Sequence, residues 1–152
     1  MNNESKASKI IRFILYSILK YIVLFTVDGS VYVFIELSFR GRSHISMFIL
    51  GGFCGVIIGG LNNWYTWEMP LLKQMIISSG IITCLEYITG YIVNIKMKLN
   101  VWDYSNLPFN LDGQICLLFS FFWIFISLIA ITLDDLLRHL LFDEPYQKYK
   151  IV

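Results

Sequence analysis

Residues 71–95 read LLKQMIISSGIITCLEYITGYIVNI, a nearly unbroken apolar run in which only Lys73 and Glu86 carry charge. As an α-helix this stretch would be about 38 Å long, enough to cross a hydrocarbon core of about 30 Å. Pro70 suits the start of such a helix, because the N–H it lacks would have no partner in the first turn. Glu86 falls 16 residues beyond Pro70, about 24 Å along the axis and still at hydrocarbon depth. A charge there costs about 2.5–3.5 kcal/mol on insertion scales, so its side chain is expected to face protein or a polar cavity. One stretch thus predicts both a span and a polar position inside it.

Three similar runs fill the rest of the chain, roughly Ile10–Leu37, Ile45–Leu61 and Ile115–Leu133. Only 15% of the residues are charged and the mean hydropathy is +0.64, whereas a soluble domain has about 25% charged residues. The expected fold is all-α: one polytopic membrane domain over 1–152 with four transmembrane helices. The spans fall near 21–37 or 10–37, 45–62, 70–95 and 113–137, with a polar tail over 138–152. Arg12, Lys20 and Asp28 interrupt the first run. It reads either as a long tilted helix with Lys20 snorkelling, or as an interfacial helical segment to about Lys20 followed by a span from Tyr21. The second is favoured, and it leaves Asp28 without an obvious partner. The first run is too long for a signal core and lacks a small-residue cleavage site, so it is expected to be retained.

Orientation follows from positive charge at the span ends. Lys6, Lys9, Arg12, Lys73, Arg138, Lys148 and Lys150 lie with the termini and the middle loop, against Arg40, Arg42, Lys96 and Lys98 on the other side. Seven against four predicts a multi-pass protein of the cell membrane with both termini cytoplasmic. In either orientation, an even number of spans gathers Glu36, Arg40, His44, Asn94, Trp102, Asp103, Tyr104, Asn110 and Gln114 on one side. Asn62, Trp64, Trp67, Glu68, Gln74, Asp134, Asp135 and Arg138 gather on the other, where 62–70 reads as an aromatic belt loop.

Helical spacing sharpens the first group. Gly29, Tyr32, Glu36 and Arg40 share a face, as do Thr83, Glu86, Gly90 and Asn94. A polar pocket is expected from Glu36, Arg40, His44, Glu86, Asn94, Asp103, Tyr104, Asn110 and Gln114. Glu36 and Arg40 could equally form a plain i, i+4 surface pair worth about 0.3–0.5 kcal/mol, and Glu86 could serve helix registry alone. Residues 101–105 read as an interfacial loop anchored by Trp102 and Tyr104, with Asp103 and Ser105 suited to a turn. Pro108 to Gln114 reads as a helix entry whose amide donors could hold an anion, or as a well-capped helix start. Gly51, Gly55 and Gly59 repeat at four-residue spacing, the small-residue pattern of closely packed membrane helices.

Several chemistries find no support. A net charge of +1 offers no field for nucleic acid. No nucleotide-binding Gly-x-x-x-x-Gly-Lys loop or His-Glu-x-x-His pair occurs, nor a Gly-x-Ser-x-Gly elbow. Cys54, Cys84 and Cys116 lie in apolar runs without metal-type spacing, and His44 and His139 fall on opposite sides. No metal and no cofactor are expected.

The segments Ile82–Gly90, Trp102–Ser105, Pro108–Asn110 and Gly113–Cys116, with Ser120 and Trp123 beyond, resemble the bacterial family labelled putative ABC-transporter type IV, or CmpB-like permeases. The resemblance is carried by Thr83–Trp123 and is weaker over Glu36–Asn62. It implies a multi-span inner-membrane protein, nominally a permease, that would draw on an ATPase from another chain. A pore would call for a homo-oligomer, with the glycine face as a contact. The first functional reading is a transport component in which Glu86, Glu36, Asn94 and Gln114 line a pocket with Arg40 and His44 at its mouth. One alternative is an intramembrane enzyme acting on a lipid or isoprenoid phosphate, Glu86 or Glu36 being the acid–base and Arg40 the phosphate holder. Another is a structural partner subunit whose polar groups bind helices together.

Overall fold

The computed structural model describes residues 6–64, 69–145 and 148–151, and the side chains of all of these except 62–64. Four helices carry the fold: α1 (Lys6–Arg40), α2 (Ile45–Trp64), α3 (Leu71–Gly90) and α4 (Leu117–Phe142). The helix of α3 continues through Tyr91–Lys96 in wider π-type turns, closed by the bond from Met97 N–H to the Ile92 carbonyl at 2.9 Å. Between Lys96 and α4 lies a folded connector containing a two-stranded hairpin, β1 (Asn110–Leu111) and β2 (Ile115–Cys116). Three helices, α1, Leu71–Lys96 and α4, are long and apolar enough to cross a membrane, and Ile45–Leu61 of α2 is a shorter apolar helix. Of the aromatic belt expected over 62–70, residues 65–68, with Trp67 and Glu68, lie outside the described residues, as does the side chain of Trp64.

The burial pattern is that of a protein bathed in lipid. Phe34, Phe53, Ile76, Phe121, Phe125 and Ile129 point outward, while Glu86, Asp134, Ser78 and Ser127 are almost completely enclosed. Water would reward the opposite arrangement; in hydrocarbon, polar groups must find partners within the chain. Hydroxyls accordingly bind neighbouring helices. Ser79 donates to the Ser120 carbonyl at 2.6 Å, Thr83 to the Ser120 hydroxyl at 3.1 Å, and Ser127 to the Met75 carbonyl at 3.2 Å.

Helix α1 differs from the favoured expectation, for it runs unbroken through Lys20. Lys20 does not mark an end because the ion pair to Glu144, at 2.5 Å, satisfies it beyond the end of α4. The start of α4 is also later than expected. Asp112 and Gly113 adopt left-handed backbones (φ 52 and 68), and Gln114 N–H bonds the Leu111 carbonyl at 2.9 Å. That is a hairpin turn, so residues 113–116 cannot begin a helix. The tail is likewise not a solvated end. The carbonyls of Lys150 and Ile151 accept from Leu71 and Leu72 at 2.7 and 3.5 Å, filling the otherwise empty first-turn donors of α3. Tyr149 reaches Asp135 Oδ2 at 2.5 Å, and Arg138 is 3% exposed rather than part of a polar tail.

The glycines of α2 do not face outward. A Cβ at Gly51 would collide with Tyr32 of α1, at Gly55 with the Asp28 carboxylate, and at Gly59 with the Asp134 carboxylate of α4. The face considered for a contact between copies is therefore filled within the chain. Gly80 has open space around it. Gly59→Val is expected to destabilise the protein by about 1–3 kcal/mol through overpacking, whereas Gly80→Ala should be neutral or slightly stabilising, as read by thermal unfolding in detergent.

Candidate functional site

The site begins with Glu86, 1% exposed on the inner face of α3. Its two oxygens accept from different elements: Tyr104 Oη donates to Oε1 at 3.1 Å, and Trp123 Nε1 of α4 donates to Oε2 at 2.9 Å. Both partners are neutral donors, so Glu86 is satisfied without a direct counter-ion. Burial first, and then the Glu86 charge, lift the Tyr104 phenol above its usual range, with Arg40 opposing. Tyr104 therefore keeps the proton it donates. Its ring stacks on Phe119 at 4.6 Å between centroids, which fixes the direction of the hydroxyl.

One turn and then two turns beyond Glu86 come Gly90 and Asn94. A Cβ at Gly90 would lie 2.6 Å from Gln114 Oε1 and 2.9 Å from the Trp102 ring, so the absent side chain lets the connector descend onto α3. Asn94 then ties it down. Its Nδ2 donates to the Trp102 carbonyl at 3.0 Å and to Gln114 Oε1 at 2.8 Å, and its Oδ1 accepts from Val101 N–H at 2.7 Å. Trp102 Nε1 donates to the Gln114 carbonyl at 2.9 Å, and Gln114 Nε2 to the Asp112 carbonyl at 2.8 Å. Each buried amide is used, so the network rigidifies the connector. The π-type turns help by burying Val93 and Asn94 together.

Beside this lies Glu36 of α1, 7% exposed. It pairs with Arg40 and accepts from Ser43 Oγ at 2.6 Å. Glu36 and Arg40 both lie within electrostatic range of Glu86. Tyr32, half-buried with its ring 6.0 Å from that of Trp123 between centroids, stands within range of both carboxylates.

The family model described as putative ABC-transporter type IV matches residues 11–150. The chain belongs to that family. No curated protein and no solved structure matches it. In this putative ABC-transporter type IV protein the likeness carried by Thr83–Trp123 thus extends across nearly the whole chain, including Glu36–Asn62.

Three of the sequence-predicted pocket residues serve local structure in this family member. His44 Nδ1 meets Ser46 Oγ at 2.9 Å and Ser46 N–H at 3.2 Å, capping α2. Asp103 accepts from the Ser105 N–H and hydroxyl at 2.8 and 2.9 Å, which hold its exposed carboxyl below the usual range. Asn110 donates to the Ser105 and Leu107 carbonyls and accepts from Gly113 N–H, staying within the hairpin. Trp102 is 3% exposed, an interior strut rather than a headgroup anchor. Glu86 with Tyr104, Asn94 with Gln114, and Glu36 with Arg40 are brought together. Trp123, Tyr32 and Ser43 were missed as partners. Trp123 was signalled by the series Ser120, Trp123, Ser127, Asp134 and Arg138, which steps along one face of α4.

Replacing Asn94 by Leu would leave a backbone N–H, a backbone carbonyl and Gln114 without their partner. Unpaired buried groups cost about 1–3 kcal/mol each, so hydrogen exchange over residues 97–116 should accelerate about tenfold or more. Ser105→Ala, which removes only an exposed bond, should leave exchange across α3 unchanged.

Proposed function

We propose that this chain is the membrane component of a transport system working with a separate ATPase subunit, and that Glu86, Tyr104 and Trp123 form its cargo-responsive centre beneath the connector. One observation carries this reading: a nearly inaccessible carboxylate at membrane depth is held by donors from α4 and from the connector, two elements that meet there. A charge so placed is costly and belongs by default to a substrate or ion pathway. Movement of the connector would remove Tyr104 from Glu86 and expose the carboxylate to cargo. The excess of Lys and Arg at the opposite ends of the helices supports an orientation with both termini in the cytoplasm; the connector would then lie on the outer face and an ATPase would dock on the other. The pattern of family membership supports the transport class; the chain itself carries no nucleotide-binding loop.

The lipid-phosphate enzyme reading is weaker, because Arg40, its phosphate holder, is already neutralised by Glu36. Helix-binding glue remains the sharper competitor, and geometry separates the two. In Glu86→Gln the amide oxygen can accept from Trp123 and the amide N–H can donate to the Tyr104 oxygen, since a phenol both donates and accepts. Packing is preserved while the charge is lost. Glu86→Gln is expected to reach wild-type membrane abundance yet fail to complement a deletion strain. Glu86→Leu, which strands two donors, should lose abundance as well, at a cost of about 1–3 kcal/mol per unpaired group. Full complementation by Glu86→Gln would overturn the transport-centre reading in favour of glue.

A further inference from the structure

Asp28 of α1 takes no part in the site above. It is 7% exposed, and its Oδ2 has no hydrogen-bond partner among the described residues. The side chain lines a cavity of about 60 Å³ whose wall also includes Ile35, Leu50, Ile82, Leu133, Tyr32 and Trp123. At about 30 Å³ per water, about two waters would fit. The same Trp123 donates to Glu86, so the cavity reaches from Asp28 to the underside of the Glu86 site.

The neighbourhood is short of positive charge. Asp28 rests on Gly55 and Asp134 on Gly59, one turn apart on α2. Arg138 is committed to Asp134 at 2.5 Å, with Glu144 at 3.8 Å from its other nitrogen, and Lys20 is committed to Glu144. The charged groups that act on Asp28 are Asp134 and Arg138 of α4. From α2 the only titratable neighbour acting with it is Cys54, and α3 brings Ile82 to the cavity. An ionised Asp28 would therefore be a buried carboxylate whose cation, Arg138, bonds Asp134 and not Asp28, a state that favours neutralisation. A hard metal ion does not fit that role, since it needs about six oxygen ligands and the walls are otherwise aliphatic and aromatic.

We propose that Asp28 is a proton-binding site at the centre of the bundle, exchanging its proton with water admitted to the cavity between α1, α2 and α4. The proton adds to a carboxylate oxygen and leaves to a cavity water; no other bond changes. This inference shares only the Trp123 wall with the transport centre and stands whether or not Glu86 carries cargo.

Infrared spectroscopy of the full chain in lipid nanodiscs at neutral pH tests it. The wild type should show a carboxylic-acid carbonyl component that shifts in heavy water; Asp28→Asn should lose it, and Glu86→Gln should keep it. Equal acid-carbonyl intensity in wild type and Asp28→Asn would overturn the proposal, as would a component that heavy water never shifts. Should Asp28→Asn fail to reach the membrane, protein labelled at aspartate carboxyl carbons gives the same answer through Asp28→Glu. That variant keeps an acid but removes it from the labelled pool. The isotope-shifted acid band should vanish; its persistence, or its absence from the labelled wild type, would overturn the proposal.

Discussion

Everything at the connector end of this bundle depends on satisfying one carboxylate that is only 1% exposed. Glu86 sits on α3 at a depth where an unpaired charge is expensive, and its two oxygens are met by an indole N–H from α4 and a phenol O–H from the connector. Those bonds tie three elements to one point. They also explain why the connector is folded rather than loose. Tyr104 must be held in place, and the Asn94–Gln114–Trp102 network with the Asp112–Gly113 hairpin does that.

The half away from the connector follows a different logic. There the helices approach closely because α2 presents glycines, and the space these leave is taken by Tyr32, Asp28 and Asp134 rather than by a second copy of the chain. Small residues usually bring membrane helices into backbone contact; here they make room for acidic and aromatic side chains. Asp134 finds Arg138, and Asp135 finds Tyr149. The tail that carries Tyr149 also caps α3 through its carbonyls. A segment that composition marks as polar and terminal is thereby part of the fold.

How much of this was legible depended on periodicity. Four apolar runs predicted four helices, and the all-helical membrane fold follows from them. The line of Thr83, Glu86, Gly90 and Asn94 on α3 is the line that faces α4 and the connector. What periodicity could not supply was the partner of each polar group. Trp102 reads as an anchor by residue type, yet the glycine opposite it at position 90 lets it enter the interior. Asp112–Gly113 is a strong hairpin signal, overridden by the apolar run that follows it. His44, Asp103 and Asn110 looked like site residues because polar side chains at a membrane boundary resemble a mouth; each instead satisfies nearby backbone or hydroxyl groups. Asp28 was visible as a residue without an obvious partner, and its Oδ2 has no hydrogen bond among the described residues.

The central claim is that Glu86 is bonded simultaneously to α4 and to the connector inside the membrane. Solid-state magnetic resonance on protein in lipid bilayers, with label on the Trp123 indole nitrogen and on glutamate carboxyl carbons, measures that contact. A dipolar coupling between the indole nitrogen and a carboxyl carbon, present in the wild type and lost in Glu86→Asp, is the expected result. Absence of any such coupling in the wild type would mean that Glu86 lies elsewhere, and the account of the connector and its site would fail with it.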